Sequence, residues 1–452
     1  MTAKEIITLA EEKRFGIIHE EFSKMMPADI AEILDEVEDE RMLLLLFRLL
    51  PKLLASDTFI EMDSDRMEEL LSAFSDKELT FLIEDMYLDD AVDVIEEMPA
   101  SIANRLLARA SESTRRNINA ILKYPHDSAG SILTTEFVRF YPDTTVSEAF
   151  DIIRAAGIDK ETVYTCYVTD KKRILVGVVS LLTLLTSAQD SSIGEIMEEN
   201  VISVKTTDDK EFVANQLSKY DLLALPVVDS ENRMIGIVTV DDAIDVITEE
   251  YTEDMDIMAA ITPTDKHYLR ESVVGIWLRR IPWLLLLMIS ATFTSMIISS
   301  FEGALAAEVA LTAFIPMLMD TGGNSGSQAS ATVIRGISLD EVDFSNFFAV
   351  IWKEFRISLL CGITLSIASF AKILLIDNLL LGSGVSIAVA AVVAITLLFT
   401  VIVAKLIGAM MPLFAKKLGL DPAVMASPFI TTIVDALSLL LYFVFASAVL
   451  GI

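Results

Sequence analysis

The sequence predicts a multidomain chain. Its parts are an acidic all-α domain of helical hairpins, a duplicated α/β unit, a long connecting helix and an all-α membrane domain of five spanning helices. Three observations carry this reading: charge is confined to one part of the chain, long apolar segments fill the other, and one strand phrase recurs at a fixed interval.

The 452 residues include 66 acids and 35 bases, a net charge of −31. The mean hydropathy is nevertheless +0.52. Dividing the chain near residue 270 resolves the conflict. Residues 271–452 hold 11 acids and 9 bases, whereas residues 1–270 hold 55 and 26. So anionic a body repels nucleic acid and anionic lipid headgroups and attracts cations. A phosphate-gripping nucleic-acid binder is excluded, and the apolar half excludes a purely soluble enzyme. With one cysteine in each half, Cys166 and Cys361, no disulfide framework is expected. The first residues lack the basic stretch and apolar core of a secretory signal, so the acidic half is expected to stay in the cytosol.

Residues 1–128 read as the helical domain. Apolar residues recur at helical spacing in Ile30–Leu34 and Leu70–Phe74, and Pro27, Pro51 and Pro99 each follow or open a helical run. The related phrases Asp29-Ile-Ala-Glu-Ile-Leu-Asp-Glu and Asp90-Ala-Val-Asp-Val-Ile-Glu-Glu point to stacked helical hairpins. Next comes the repeat. Val168-Thr-Asp170 and Val176-Gly-Val-Val-Ser180 reappear 59 residues later as Val227-Val-Asp229 and Ile235-Gly-Ile-Val-Thr239. Each copy reads as helix, strand, turn, strand, helix, with helices expected at Val146–Ala155 and Glu211–Lys219. The units are placed at 129–195 and 196–250. They resemble a tandem CBS pair, the Bateman module, which senses ligands more often than it catalyses. Thr239-Val-Asp-Asp242 fits the Ser/Thr-x-x-Asp phrase that binds ribose in such pairs, while Ser180-Leu-Leu-Thr183 lacks the Asp. The resemblance therefore implies one candidate nucleotide site, at Thr239 and Asp242.

Residues 251–276 are expected to form the connecting helix, and 277–452 the five spans. A span needs about 20 apolar residues. Ile281–Phe301 has 21 without a charge. The others are placed at about 305–334 (interrupted by Glu308 and Asp320), 355–376, 385–414 and 428–452. Arg270, Arg279 and Arg280, then Arg335, Lys353 and Arg356, then Lys416 and Lys417 fall in alternate connections. By the positive-inside rule these are cytoplasmic and the C-terminus is outside. An odd number of spans makes a symmetric pore simplest between two copies.

Three stretches together resemble the MgtE family of magnesium channels: Tyr124-Pro-His-Asp-Ser-Ala-Gly-Ser-Ile-Leu-Thr134; Pro316-Met-Leu-Met-Asp-Thr-Gly-Gly-Asn-Ser-Gly-Ser-Gln328; and Gly419-Leu-Asp-Pro422 with Ser427-Pro-Phe-Ile-Thr-Thr432 and Asp435. Physical chemistry supports a pore role independently. Pro316 and Gly322-Gly323 weaken a helix in mid-membrane, which is tolerated where backbone lines a cavity or is covered by protein. An ionised Asp at the bilayer centre costs roughly 2.5–3.5 kcal/mol on insertion scales, so Asp435 is read as functional. Its alternative is an ion pair with Lys405. Asp320 stands open between a pore role and a water-facing helix end. Mg²⁺ keeps waters between itself and one or two carboxylates, which Ser427 and Thr431 would help to hold.

The resemblance further implies regulatory Mg²⁺ ligands: Asp89 and Asp93 in the helical domain; Asp209, Glu211, Asp221, Asp242 and Asp245 in the second CBS unit; and Glu250, Glu253 and Asp254 in the connecting helix. Asp242 is claimed by both a metal and a ribose. The resulting expectation is a homodimeric, multi-pass Mg²⁺ channel of the cytoplasmic membrane, closed by intracellular Mg²⁺, with ATP as a candidate modulator and lipid as its other partner. It is not expected to be an enzyme, and no P-loop phrase supplies an ATP-driven engine. The main alternative is a carrier exchanging Mg²⁺ for H⁺ or Na⁺. An intramembrane metallohydrolase is disfavoured because residues 271–452 contain no His, and a sensor on a passive anchor because five spans exceed an anchor's needs.

Overall fold

The computed structural model describes residues 2–156, 160–264, 268, 271–339, 341–425 and 427–451. Its first 121 residues form short helices: α1 (Ala3–Glu11), α2 (Phe15–Phe22), α3 (Pro27–Asp35), α4 (Glu40–Phe47), α5 (Lys52–Ile60), α6 (Ser64–Ala73), α7 (Asp76–Asp85), α8 (Leu88–Glu97), α9 (Ala100–Leu107) and α10 (Glu112–Ile121). Local signals start several of them. Thr2/Glu5 and Ser75/Glu78 are reciprocal capping boxes. Pro27 opens α3, and Pro51 and Pro99 cap α5 and α9, where a missing N–H costs nothing. The apolar phrases point inward as expected: Ile30, Leu34, Leu70, Leu71 and Phe74 are buried.

Two three-stranded sheets follow. The first unit is β1 (Phe137–Phe140), α11 (Val146–Ala156), β2 (Thr162–Thr169), β3 (Leu175–Ser180), α12 (Leu181–Thr186) and α13 (Ile193–Ile196). The second is β4 (Val204–Lys205), α14 (Lys210–Lys219), β5 (Ala224–Val228), β6 (Met234–Thr239) and α15 (Val240–Met258). The 59-residue repeat reappears as register, because Val168 pairs with Gly177 and Val227 with Gly236. Gly236 has a definite reason to lack a side chain: its Cβ would strike the Thr134 carbonyl. That carbonyl accepts from Ile237 N at 2.9 Å, and Thr134 N returns the bond to Ile237 O at 2.9 Å. Residues 129–134, counted with the first unit by sequence, thus bond to the second: Ala129 N and Gly130 N donate to Asp208 O and Thr206 O.

The connecting helix is shorter than its expected reach to residue 276. After Met258 the chain closes with Ala260 N to Ile257 O and Ile261 N to Asp256 O, both 2.9 Å. Ala260 takes φ +56°, the left-handed residue of a Schellman stop, and Pro263 follows. The chain divides into two compact units between Glu250 and Tyr251, inside α15.

The second unit contains α16 (Val273–Ser300), α17 (Glu302–Ala307), α18 (Ile315–Ser338), α19 (Phe347–Lys372), α20 (Ile387–Lys417) and α21 (Ser427–Leu450). Among the described residues, four segments are long and apolar enough to cross a membrane: α16, 344–380 around α19, α20, and 422–450 around α21. The expected second span differs. It breaks at Glu308 into a 3-10 turn, Val309–Phe314, and α18 begins with Pro316 in its first turn. Gly322 and Gly323 therefore sit inside a continuous helix, and the break lies upstream of them. Tyr442 Oη stabilises it by donating to Leu311 O at 2.9 Å. The 24 residues of α18 reach about 36 Å, but Gly, Ser, Thr and Asn lower its hydropathy. Small residues instead permit close crossing. A Cβ on Gly408 of α20 would overlap the Gly326 carbonyl, and one on Gly323 would lie 2.9 Å from Thr431 Cγ2.

Candidate functional site: two sets of carboxylates

In the first unit α8 presents Asp89, Asp90 and Asp93 toward the start of α15. Asp89 is buried, and Asp242 is the strongest of the like charges acting on it, followed by Asp90, Glu161 and Glu136. Desolvation and these charges raise the Asp89 carboxyl well above its ordinary range. Asp90 is pushed up to about 7 by desolvation, then by Asp242 and Asp241. Asp93 is exposed, yet desolvation, Asp242 and Asp90 carry it to about 8. Glu161 also reaches about 8, through desolvation and then Asp241 and Asp242, and its Oε2 is buried without a hydrogen-bond partner among the described residues. Asp242 is raised to about 6 by desolvation, although Thr239 Oγ1 donates to it at 2.5 Å. Asp245 is raised by desolvation and Glu249.

Seven carboxylates thus share one interface: Asp89, Asp90, Asp93, Glu136, Glu161, Asp241 and Asp242. Among the described residues no Lys, Arg or His is within ion-pair distance of any of them. Glu136 is tied to the backbone, accepting from Leu88 N at 3.1 Å and from Thr134 Oγ1 at 2.7 Å. No three His, Cys, Asp or Glu side chains among the described residues are gathered tightly enough to hold a metal ion. The arrangement is crowded negative charge rather than a finished chelate.

The other regulatory candidates fall elsewhere. Asp209 caps α14, accepting from Glu211 N at 2.9 Å and Phe212 N at 3.4 Å. Asp221 occupies a turn with φ +51°. Glu250 lies 3.7 Å from Lys210, which Glu249 and Asp127 also approach. Desolvation opposes the charge of this lysine, and the three acids outweigh it and raise its pKa. Glu253 is exposed. Asp254 belongs to the second unit, where desolvation and then Asp421 and Glu253 lift it to about 6 against a hydrogen bond from Ser338.

In the membrane unit Asp435 of α21 takes Asp320 of α18 as its charged neighbour. Lys405, buried on α20, instead exerts its charge on Glu354, buried on α19, so the expected alternative pairing of Asp435 is not formed. Asn324 Nδ2 donates to Asp320 Oδ1 at 3.2 Å. Asp320, Asn324, Gln328 and Thr332 recur every fourth residue and are all exposed, forming a polar stripe along α18. Thr431 Oγ1 donates to Pro428 O at 2.9 Å. The Ser427 side chain and Ile452 lie outside what the structure describes.

Sequence reasoning missed Asp90, Glu136, Glu161 and Asp241, because acids are common everywhere in this half and only domain packing selects these. It also missed Asp421, although the quoted Gly419-Leu-Asp-Pro422 phrase contained it.

Comparison with known proteins agrees with this layout. A family profile described as "Divalent cation transporter" matches residues 315–445. Others match the MgtE intracellular N domain at 25–127 and CBS domains at 129–190 and 193–249. The chain is 34% identical to the magnesium transporter MgtE of Thermus thermophilus over 98% of both chains. The chain belongs to the MgtE family. MgtE of Bacillus subtilis is 32% identical over 98% of this chain and 96% of its own. Among solved structures, the cytosolic domain of the Mg²⁺ channel MgtE in complex with ATP superposes with a TM-score of 0.52 at 32% identity, covering 54% of this chain and 99% of that one. Membership accounts for an acidic helical domain, a CBS pair and a membrane region of apolar helices in one chain. The MgtE relationship makes this a membrane transporter rather than an enzyme.

Proposed function

We propose that the chain is a homodimeric Mg²⁺-selective channel of the cytoplasmic membrane, closed when intracellular Mg²⁺ binds its acidic domains. The observation that carries this reading is the polar stripe of α18 beside Asp435. In a membrane helix such a stripe cannot face lipid without heavy cost, so in this reading it faces water and a second copy. Asp435, Asp320 and Thr431 then line a cation path, with Ser427 at its entrance, and α18 completes a five-span domain whose C-terminus is outside. The inside-negative potential supplies about 2.3 kcal/mol per charge per 100 mV, about twice that for a divalent ion.

Closure follows from electrostatics. Without cations the seven carboxylates of the α8/α15 interface repel, and Mg²⁺ removes that repulsion. Its preference for the assembled arrangement shifts the gate. Asp209, Glu211, Asp221, Asp245, Glu250, Glu253 and Asp254 are proposed as further contributors to the regulatory field, and ATP as a modulator. The neighbouring Asp320 and Asp435 also favour a second reading, a carrier that exchanges Mg²⁺ for H⁺ or Na⁺. Patch recording of the purified protein separates the two. Unitary Mg²⁺ currents that close as internal Mg²⁺ rises support the channel, whereas saturable exchange without unitary currents supports the carrier.

A further inference from the structure

An open cleft of about 570 Å³ lies on the first CBS unit, bordered by Ile235 of the second, and its lining is opposite in sign to the body around it. Arg139, Lys171 and Arg173 line it with Thr135, Phe137 and Tyr141, and among the described residues no acid does. Residues 1–270 carry about two acids per base, so three cations without a carboxylate is a local reversal. None of the three has an ion-pair partner among the described residues.

The backbone holds these groups in place. Phe137, Arg139 and Tyr141 alternate along β1 and its continuation, which directs them to one face, while Val138 and Phe140 fill the core. The Arg139 guanidinium lies 5.6 Å from the centre of the Tyr141 ring. Lys171 and Arg173 sit on the β2–β3 turn, which Asp170 Oδ1 shapes by accepting from Lys172 N at 2.7 Å and Ile174 N at 2.9 Å. Arg173 adopts φ +69°. Met234 N donates to Arg173 O, and Leu175 N to Asn232 O, at 2.9 and 3.1 Å, so the two hairpin tips are fastened together. The corresponding tip of the second unit reads Ser230-Glu231-Asn232, and its neighbour Arg233 is paired with Glu231. A basic tip is therefore no requirement of the hairpin.

The cleft is separate from the Ser/Thr-x-x-Asp positions. Those lie at the ends of β3 and β6, whereas the cleft touches the start of β6 at Ile235, four residues or about 13 Å of strand from Thr239. We propose that this cleft is an anion site for a phosphorylated small molecule. Arg139, Lys171 and Arg173 bind the phosphate groups, since guanidinium forks match phosphate oxygens, and Tyr141 and Phe137 offer aromatic surface to an attached base. The inference rests on the cleft alone and is independent of the ion path.

Calorimetric titration of the full-length protein in detergent micelles without Mg²⁺, using pyrophosphate, ATP and adenosine as separate probes, tests it. Pyrophosphate and ATP should bind and adenosine should not. R139A/R173A should weaken both by at least tenfold, as should K171E, a change at an exposed turn residue that leaves the fold intact. Y141A should weaken ATP alone if the physiological anion is a nucleotide, and neither probe if it is an inorganic phosphate. Wild-type affinity in both R139A/R173A and K171E overturns the site, as does loss of ATP binding in D242A but not in the cleft variants. Absence of binding by either phosphorylated probe to the wild-type protein overturns it as well.

Discussion

Asp89 and Asp242 confront one another as like charges from helices of two different domains, with Asp242 the strongest charge acting on Asp89. Among the described residues the acids of this interface have no basic partner, so protons or metal cations would supply the missing positive charge. Two opposite charges a few ångströms apart interact by roughly 1–4 kcal/mol at effective dielectrics of 80 to 20, and like charges repel by the same amount.

The interface should therefore be pH-sensitive in a defined direction. Asp90 is raised to about 7, and Asp93 and Glu161 to about 8. An acid raised by folding holds its proton in the folded state and loses it more readily unfolded. Its destabilising effect thus grows as pH rises from about 4 through about 8. Amide-exchange protection of α8 in Mg²⁺-free protein should fall between pH 6 and pH 8. Added Mg²⁺ should restore more protection at pH 8 than at pH 6; an equal Mg²⁺ increment at both would remove the ion from this interface.

Replacing Asp89 and Asp93 together by Asn keeps shape and deletes charge. We expect α8 to be better protected without Mg²⁺ and to respond less when it is added. The internal Mg²⁺ needed for half-closure should rise about tenfold, which corresponds to about 1.4 kcal/mol of lost differential binding. Half-closure at the wild-type concentration would reduce these acids to a solvated face.

Asp435→Asn should lower Mg²⁺ flux into proteoliposomes at least tenfold while the protein keeps its wild-type melting temperature. Asp320→Asn, at an exposed position, should have the smaller effect. Equal flux in Asp435→Asn and wild type would exclude this side chain from the ion path.

Gly408→Ala should destabilise the membrane unit, because its Cβ overlaps the Gly326 carbonyl. Overpacking of this kind costs about 1–3 kcal/mol. Gly303→Ala, where the added Cβ meets nothing within 4 Å, is the control and should be neutral or slightly stabilising. Equal melting temperatures for the two variants in detergent would contradict the tight α18–α20 crossing.

Much of the architecture is readable from local pattern. The Ile30–Leu34 face, the prolines at helix starts, the 59-residue repeat and the apolar runs of α16, α20 and α21 each depend on near neighbours in sequence. Helical periodicity and strand register are therefore visible without knowing the fold. The carboxylates are another matter. Asp89 and Asp93 could be named as a helical pair, but Asp90, Glu161 and Asp241 join them only because α8, the start of β2 and the start of α15 converge.

By itself the sequence determined the divided charge, the duplicated unit and the apolar helices, since these are properties of composition and period. Tertiary structure alone decided which acids face one another and that residues 129–134 bond to the second CBS unit. It also decided that Lys405 answers Glu354 rather than Asp435. The reason is range: periodicity is set by residues a few positions apart, whereas charge contacts and close helix crossings join residues from distant parts of the chain.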